Sequence, residues 1–360
     1  MSFNEWKEVK LEDVVDTISK RHKFDKDKII LINTSDVLEG KVLNHEYVQN
    51  ENLKGQFKKS FQKNDILYSE IRPQNKRFAY VDFQSDDYVA STKLMVLRKK
   101  NEMITSNFLY QILKSDDLIN ELQVIAESRS GTFPQITYNE LSRMKIKLPP
   151  LDEQKAIAHI LSTLDDKIEV NNQINKTLEN MAQVIFKQWF VDFEFPNEDG
   201  EPYKSSGGEM VESELGMIPK GWEVVELNKL AKLTMGLSPK SESYNTDYIG
   251  TPLLNGAADF NNGLIKANKF TTQPTRICEK GDLVFCIRAT IGNITFADQE
   301  FCLGRGVAAL KPLSGSYIGL IYFNLDMAME RLKANATGSV ILGLSKPDIN
   351  NLKIILPSED

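Results

Sequence analysis

The sequence of 360 residues predicts a mixed α+β fold built twice around one long helix, two homologous halves forming a pseudo-twofold repeat. Three observations predict it. No Gly or Pro interrupts residues 151–195, two stretches about 210 residues apart spell similar motifs, and each stretch mixes short β-rich runs with an amphipathic helical segment.

Residues 1–150 read as the first domain. It opens on a Trp-containing strand, Glu5-Trp6-Lys7-Glu8-Val9-Lys10-Leu11, followed by a long polar loop. Short strands are predicted at 65–71 and 94–97 and a helix at 107–122. A Gly131-Thr132 turn then leads to a last strand ending at Leu148-Pro149.

Residues 151–195 read as one uninterrupted helix. Pro149 and Pro150 stop what precedes it, Asp152 is its N-cap candidate, and roughly 40 residues at 1.5 Å each give a rod about 60 Å long. Ile157, Leu161, Leu164, Ile168, Leu178, Ala182, Ile185 and Trp189 fall on alternating spacings of four and three, the seam of a left-handed coiled coil, with Ile160, Ile174 and Met181 widening one flank. Asn171 and Asn175 occupy two seam positions, where amides fix register and partner number at some cost in stability. Such a seam calls for another helix.

Residues 196–216, rich in Gly, Ser, Asn and acids, read as a flexible linker. Residues 217–357 then repeat the first domain. Gly221-Trp222-Glu223-Val224-Val225-Glu226-Leu227 matches the opening strand, and Lys280-Gly281-Asp282-Leu283-Val284-Phe285 matches Lys63-Asn64-Asp65-Ile66-Leu67-Tyr68. Ile287-Arg288 is aligned with Ile71-Arg72 by a contraction of the segment between. A helix at 317–332, a strand at 307–310, a Gly338-Ser339 turn and a closing Leu356-Pro357 complete the copy. After Pro357 the repeat predicts a second long helix, where the sequence has only Ser358-Glu359-Asp360.

The chain is 41% hydrophobic and 26% charged, as expected of a globular protein, and holds no apolar run of membrane-spanning length. A cytoplasmic location without membrane attachment is expected. Cys278, Cys286 and Cys302 match no zinc spacing and read as buried reduced thiols. A net charge of -6 argues against a protein that coats nucleic acid indiscriminately, yet it permits local basic loops.

Catalytic constellations are missing from the sequence. It has no P-loop, no Gly-x-Ser-x-Gly elbow, no His-Glu-x-x-His and no Asn-Pro-Pro-Tyr-type motif for a flipped adenine. Gly304-Arg305-Gly306-Val307-Ala308-Ala309 imitates a dinucleotide fingerprint, but Pro312 leaves no room for the required helix and the first copy has Ser91-Thr92-Lys93 there. What remains is contact chemistry. Arg21, Lys23, Arg72, Gln74, Asn75, Lys76, Arg77, Arg129 and Thr132 lie on polar loops of the first copy; Ser238, Lys240, Tyr244, Asn245, Asn255, Arg288, Thr290, Thr337 and Ser339 lie on those of the second. Arg reads guanine and Asn or Gln reads adenine through paired hydrogen bonds, while Lys, Ser and Thr serve phosphates. The loops of the two copies differ in these polar residues while the framework repeats, as expected for readers of two different sequences.

With helix and duplication in view, the chain resembles the specificity subunits of type I restriction-modification systems. The residues that carry the resemblance are LPPLDEQKAIAHILSTLDDKIEVNNQINKTLENMAQVIFKQWFVDF at 148–193, ESELGMIPKGWEVVEL at 212–227, and GLSPKSESYN and TPLLNGAADF in the second copy. The resemblance implies two target recognition domains, each reading one half of a bipartite duplex site, joined by helices that dock two methyltransferase subunits and, with them, restriction-translocase subunits. It implies a non-catalytic chain without its own cofactor, S-adenosylmethionine being expected on the methyltransferase partner. Full-length members carry a second conserved helix, so a second copy or a fragment supplying it is a further expected partner. Two other readings stay open on sequence alone, a DNA-modifying enzyme fragment and a coiled-coil adaptor without sequence-specific DNA binding.

Overall fold

Strands Ile66–Ser69 and Leu94–Lys99 are apolar along nearly their whole length, because both faces of the sheet they form are covered. Their side chains alternate between two cores. Ile66, Tyr68, Met95 and Leu97 pack with the helices, whereas Leu67, Leu94 and Val96 pack with Ile30, Ile32 and Ala90 of a second sheet. The first half is therefore layered as helices, sheet and sheet. The computed structural model describes residues 6–23, 25–51, 55–128, 133–261, 263–288, 290–335 and 343–358. It divides into two compact units, Met1–Ile174 and Asn175–Asp360.

In the first unit one four-stranded sheet runs Val15–Thr17, Leu94–Lys99, Ile66–Ser69, Phe78–Tyr80. The other runs Val48–Gln49, Lys28–Ile32, Tyr88–Ser91, Phe57–Lys59, and its central pair is parallel. Lys7–Lys10 pairs with Lys145–Leu148, joining the two ends of the domain.

The second unit repeats each of these arrangements. Ala231–Met235, Val307–Pro312, Leu283–Cys286 and Gly292–Phe296 form one sheet, and Glu223–Glu226 pairs with Lys353–Leu356. The other sheet contains Lys269–Thr271, Thr251–Leu254, Phe301–Leu303 and Ile277–Cys278 in that order, again with a central parallel pair, and Tyr244–Asn245 is added at its edge. Leu283, Phe285, Ala308 and Leu310 face the helices; Val284, Val307 and Ala309 face the second sheet. Two domains with one strand order confirm the duplicated α+β fold.

Equivalent turns repeat in detail. The Asp65 carboxylate accepts from the Gln62 amide at 2.8 Å and that of Asp282 from the Glu279 amide at 2.9 Å. The preceding residues, Asn64 and Gly281, both take left-handed backbone, with φ of +72° and +91°. Hydrogen bonding also corrects the expected alignment around Arg72. Glu70 N–H donates to Lys93 O, and Ile136 N–H to Glu70 O; Ile287 N–H donates to Gly306 O, and Leu344 N–H to Ile287 O. Glu70 thus corresponds to Ile287, and the bridge partners Ile71 and Arg288 correspond to each other, without any contraction.

The segment 107–122, expected to be one helix, is two, Ser106–Leu113 and Asp116–Glu127. The Ser115 hydroxyl donates to Ile112 O, and Asp116 and Asp117 favour a fresh helix N-terminus. In the second unit one helix, Ile318–Asn335, occupies this place.

The long helix is α-helical over Leu151–Phe186 and closes in a π-helical turn, Lys187–Val191. It starts before Asp152, which is therefore in the first turn and not the N-cap. Its carboxylate and that of Glu153 act there on the helix dipole. The first unit grips the opening turns. Gln154 is only 1% exposed; its amide nitrogen donates to Met103 O at 2.8 Å and Pro149 O at 3.0 Å, and its carbonyl accepts from Thr105 N–H at 3.0 Å. The Trp6 indole donates to Glu153 at 3.1 Å, Lys114 pairs with Asp165, and Lys41 with Glu169.

The far end of the helix belongs to the second core. Phe186 is buried and stacks on Phe190 and Phe323 with centroids 4.9 and 4.8 Å apart. The connector 196–216, expected to be a flexible linker, is folded. Phe195 stacks between Tyr203 at 4.6 Å and Trp222 at 4.9 Å, Pro196 bridges Pro202, and Met210–Ser213 forms a hairpin with Gly216–Pro219. Aromatic stacking overrides the polar composition of this stretch.

Candidate nucleic-acid interface

In each unit, backbone hydrogen bonds gather loops at one end of the sheets. In the first unit the loop 18–23 runs beside the strand Phe57–Lys59, with Arg21 bridging Lys59. The Lys59 ammonium donates to Thr92 O at 3.0 Å and Leu94 O at 2.8 Å, Lys93 O receives Glu70 N–H, and Arg72 N–H donates to Pro134 O at 3.0 Å. Burial holds the Lys59 pKa below the ordinary lysine value, opposed by Glu70 and assisted by Lys93. Lys59 thus serves the frame.

Arg21, Lys23, Arg72, Gln74 and Asn75 are exposed. Arg72 and Lys76 flank the short turn Pro73–Asn75 with φ of +44° and +52°, left-handed conformations that cost roughly 1 kcal/mol or more each for side chains with a Cβ. They are held there by Arg72 N–H on Pro134 O and by Gln74 N–H on the Gln123 side chain at 3.2 Å. The Arg72 guanidinium lies 5.7 Å above the ring of Phe133, itself 60% exposed. Backbone strain and an exposed aromatic under an arginine suit a loop shaped for contact.

Two expected readers are engaged inside the domain. Arg77 donates to Ser35 O at 2.9 Å and Val37 O at 3.3 Å, and Lys76 pairs with Asp116 at 2.9 Å. Arg129 and Thr132 lie outside the described residues.

The second unit gathers the corresponding loops. Gly236 N–H donates to Val307 O, Leu237 N–H to Leu303 O, and Gly304 N–H to Leu254 O. Ser238 and Asn255 lie at this turn, and Arg288 bridges Gly343 beside the Ile287 amide that donates to Gly306 O, with Thr290 exposed just beyond. Asn255 is half-buried, and its Oδ1 lies against Gly304. Lys240 and Tyr244 follow on the same loop, Lys240 exposed and 3.9 Å from Glu242, Tyr244 half-buried in its edge strand. Asn245 is engaged locally: it donates to Ile249 O at 2.9 Å and accepts from the amides of Asp247 and Ile249 at 3.1 Å. Thr337 and Ser339 lie outside the described residues.

Sequence reading missed Arg305 and Lys93, which sit at corresponding turns of the two loop clusters. Both are exposed. The signal for Arg305 was present in the false dinucleotide motif. The glycines of that motif serve packing, because a Cβ on Gly304 would lie 2.9 Å from Leu254 O and one on Gly306 2.1 Å from Asn255 O. Another repeat also went unseen. Asn33 N–H donates to Asp36 and Asn255 N–H to Asp259, both at 2.7 Å, each Asp closing a short 3-10 turn that leads into a small hairpin.

The helix seam faces solvent. Leu161, Leu164, Ile168, Leu178, Ile185 and Trp189 are exposed, Leu164 at 52% and Ile168 at 60%, and Asn171 and Asn175 are exposed with them. Ile157 instead packs on the first core. Among the described residues no group of three or more His, Cys, Asp or Glu side chains could hold a metal ion, and no helix is long and apolar enough to cross a membrane.

A family model, the type I restriction modification DNA specificity domain, matches residues 4–180 and 219–360. The HindI type I restriction enzyme specificity subunit of Haemophilus influenzae is 32% identical, the match covering 99% of this chain and 91% of that protein. The putative MjaX type I specificity subunit of Methanocaldococcus jannaschii is 30% identical over 81% of this chain and 68% of its own length. Among solved structures, the type I system S subunit from M. genitalium shares the fold, with a TM-score of 0.56 at 17% identity over 98% of this chain and 85% of that one. The chain belongs to the specificity subunits of type I restriction-modification systems, the non-catalytic component that recognises the DNA target.

Proposed function

We propose that each unit reads one half of a bipartite duplex site through its loop cluster, and that the long helix sets the number of unread base pairs between the halves. One observation carries this reading: two domains with one strand order differ in the polar side chains at the same end. Arg21, Lys23, Arg72, Gln74 and Asn75 have outward donors for the first half-site. Lys240, Arg288 and Thr290 have them for the second. Lys76, Arg77 and Asn245 serve as framework that shapes these loops.

The exposed seam of the helix pairs with a second helix, supplied by a second copy or a fragment, and the helices so paired dock two methyltransferase subunits, which bring S-adenosylmethionine and perform the methyl transfer. Restriction-translocase subunits join through that assembly. A large apolar stripe with central amides suits a helical partner whose register must be fixed. The complex works in the cytoplasm, where the DNA is.

Methylome sequencing of cells that express the chain with its methyltransferase partner tests the reading. A single motif of two short specified sequences separated by a fixed unspecified spacer is expected. A motif that is continuous, or no motif despite assembly of the complex, would overturn it.

A further inference from the structure

Arg305 stands at the tip of a turn that the fold holds stiffly. On either side the backbone is pressed against its neighbours: Cβ atoms on Gly304 or Gly306 would come within 2.6 Å of Asn255 Oδ1 and 2.1 Å of Asn255 O, and one on Gly236 within 2.1 Å of Gly304 O. The two glycines therefore let three loops close on one another and leave the side chain between them exposed. That side chain is also aimed. Ser238 Oγ accepts from both the backbone N–H and the Nε–H of Arg305, each at 3.3 Å.

An arginine held through Nε keeps both Nη groups in one plane, available as a paired donor. That is the geometry that matches O6 and N7 of guanine in the major groove. A phosphate contact needs charge but little orientation, and Lys240 on the adjacent loop supplies such a charge without a fixed plane. The first unit differs at the same turn. Thr92 takes the place of Arg305, and Lys93 beside it is engaged with Glu70 at 3.4 Å and Gln135 at 3.3 Å.

We infer that Arg305 reads one guanine of the second half-site and that Ser238 is its positioning residue. This inference rests on the proposed reading of each unit as a duplex reader. It adds a named base contact to that reading.

The test compares the methylomes of cells carrying the complex with the unaltered chain, Arg305→Ala, Arg305→Lys or Ser238→Ala. The Arg305→Ala chain keeps the backbone N–H bond to Ser238, and thermal denaturation confirms its folding. One G·C position in one half-site is expected to become degenerate in both Arg305 variants, with a discrimination loss of roughly tenfold to a hundredfold. Ser238→Ala is expected to relax the same position to a smaller degree, and the other half-site is expected to stay unchanged. Retention of the full motif by Arg305→Ala would overturn the inference. So would a uniform loss of binding to a duplex carrying the native motif, with a shallower salt dependence and no positional relaxation, since that is the signature of a phosphate contact. A motif of the unaltered chain that is not bipartite would sink the parent reading as well. A bipartite motif left intact by the variants would sink only this one.

Discussion

Replacing Gln154 by Ala is expected to loosen the hold of the first unit on the long helix. The side chain is almost fully buried and makes three hydrogen bonds, two from its amide nitrogen to Met103 O and Pro149 O and one to its carbonyl from Thr105 N–H. Thr105 is itself the N-cap of Ser106–Leu113, its hydroxyl accepting from Phe108 N–H at 3.2 Å. One carboxamide therefore ties the starts of two helices together. At about 1 kcal/mol net per hydrogen bond, the loss of three comes to about 3 kcal/mol. For a unit of this size the apparent Tm is expected to fall by about 6–12 °C. Differential scanning calorimetry on the full chain reads the shift, and amide hydrogen exchange at Thr105 reports whether the junction itself has opened. Asp152→Ala, two residues earlier, serves as the comparison variant: it removes only an exposed carboxylate with a helix-dipole interaction and a surface ion pair to Lys155, so a much smaller shift is expected. A loss below about 1 kcal/mol with Thr105 still protected would refute the reasoning.

Phe186→Ala, which removes a buried ring stacked between Phe190 and Phe323, is expected to destabilise the second unit by about 3–5 kcal/mol in urea denaturation. Burial pushes the Cys278 and Cys286 thiols up to about 12, so neither should react with a thiol reagent at pH 8 until the chain is unfolded. Hydrogen bonds from Lys26 and Tyr47 hold the Asp87 carboxyl below its ordinary value. Folding therefore favours its ionised form, a contribution present above the ordinary carboxylate range and lost as pH falls through the lowered value. Carboxyl NMR titration should place the midpoint of Asp87 below that of an unfolded reference, and Asp87→Asn should flatten the acid limb of stability.

The duplicated fold was legible because its framework residues sit where backbone geometry restricts choice. Asn64 and Gly281 occupy left-handed positions before matching aspartates, and the apolar runs of Ile66–Ser69 and Leu283–Cys286 record strands covered on both faces. The Asn33 and Asn255 turns escaped notice because they differ in length by one residue and in the residues between Asn and Asp, although the hydrogen bond is the same. The connector was misread because the stacking partners of Phe195 are eight and twenty-seven positions away, at Tyr203 and Trp222, beyond the reach of a composition window.

At the loop clusters, residue type showed where donors are found but not which are free. Arg77 and Asn245 look like base readers in sequence, yet their donors meet backbone carbonyls of their own domain. Arg305 was passed over because its glycines suggested a nucleotide motif, whereas they serve the close approach of three backbones.

The most direct measurement is methylation by the assembled complex of three duplexes that carry the native motif with its spacer unchanged, one base pair shorter and one base pair longer. The proposed reading of a split site predicts methylation of the native spacer alone, with the other two reduced by about tenfold or more. Equal methylation of all three would contradict the account.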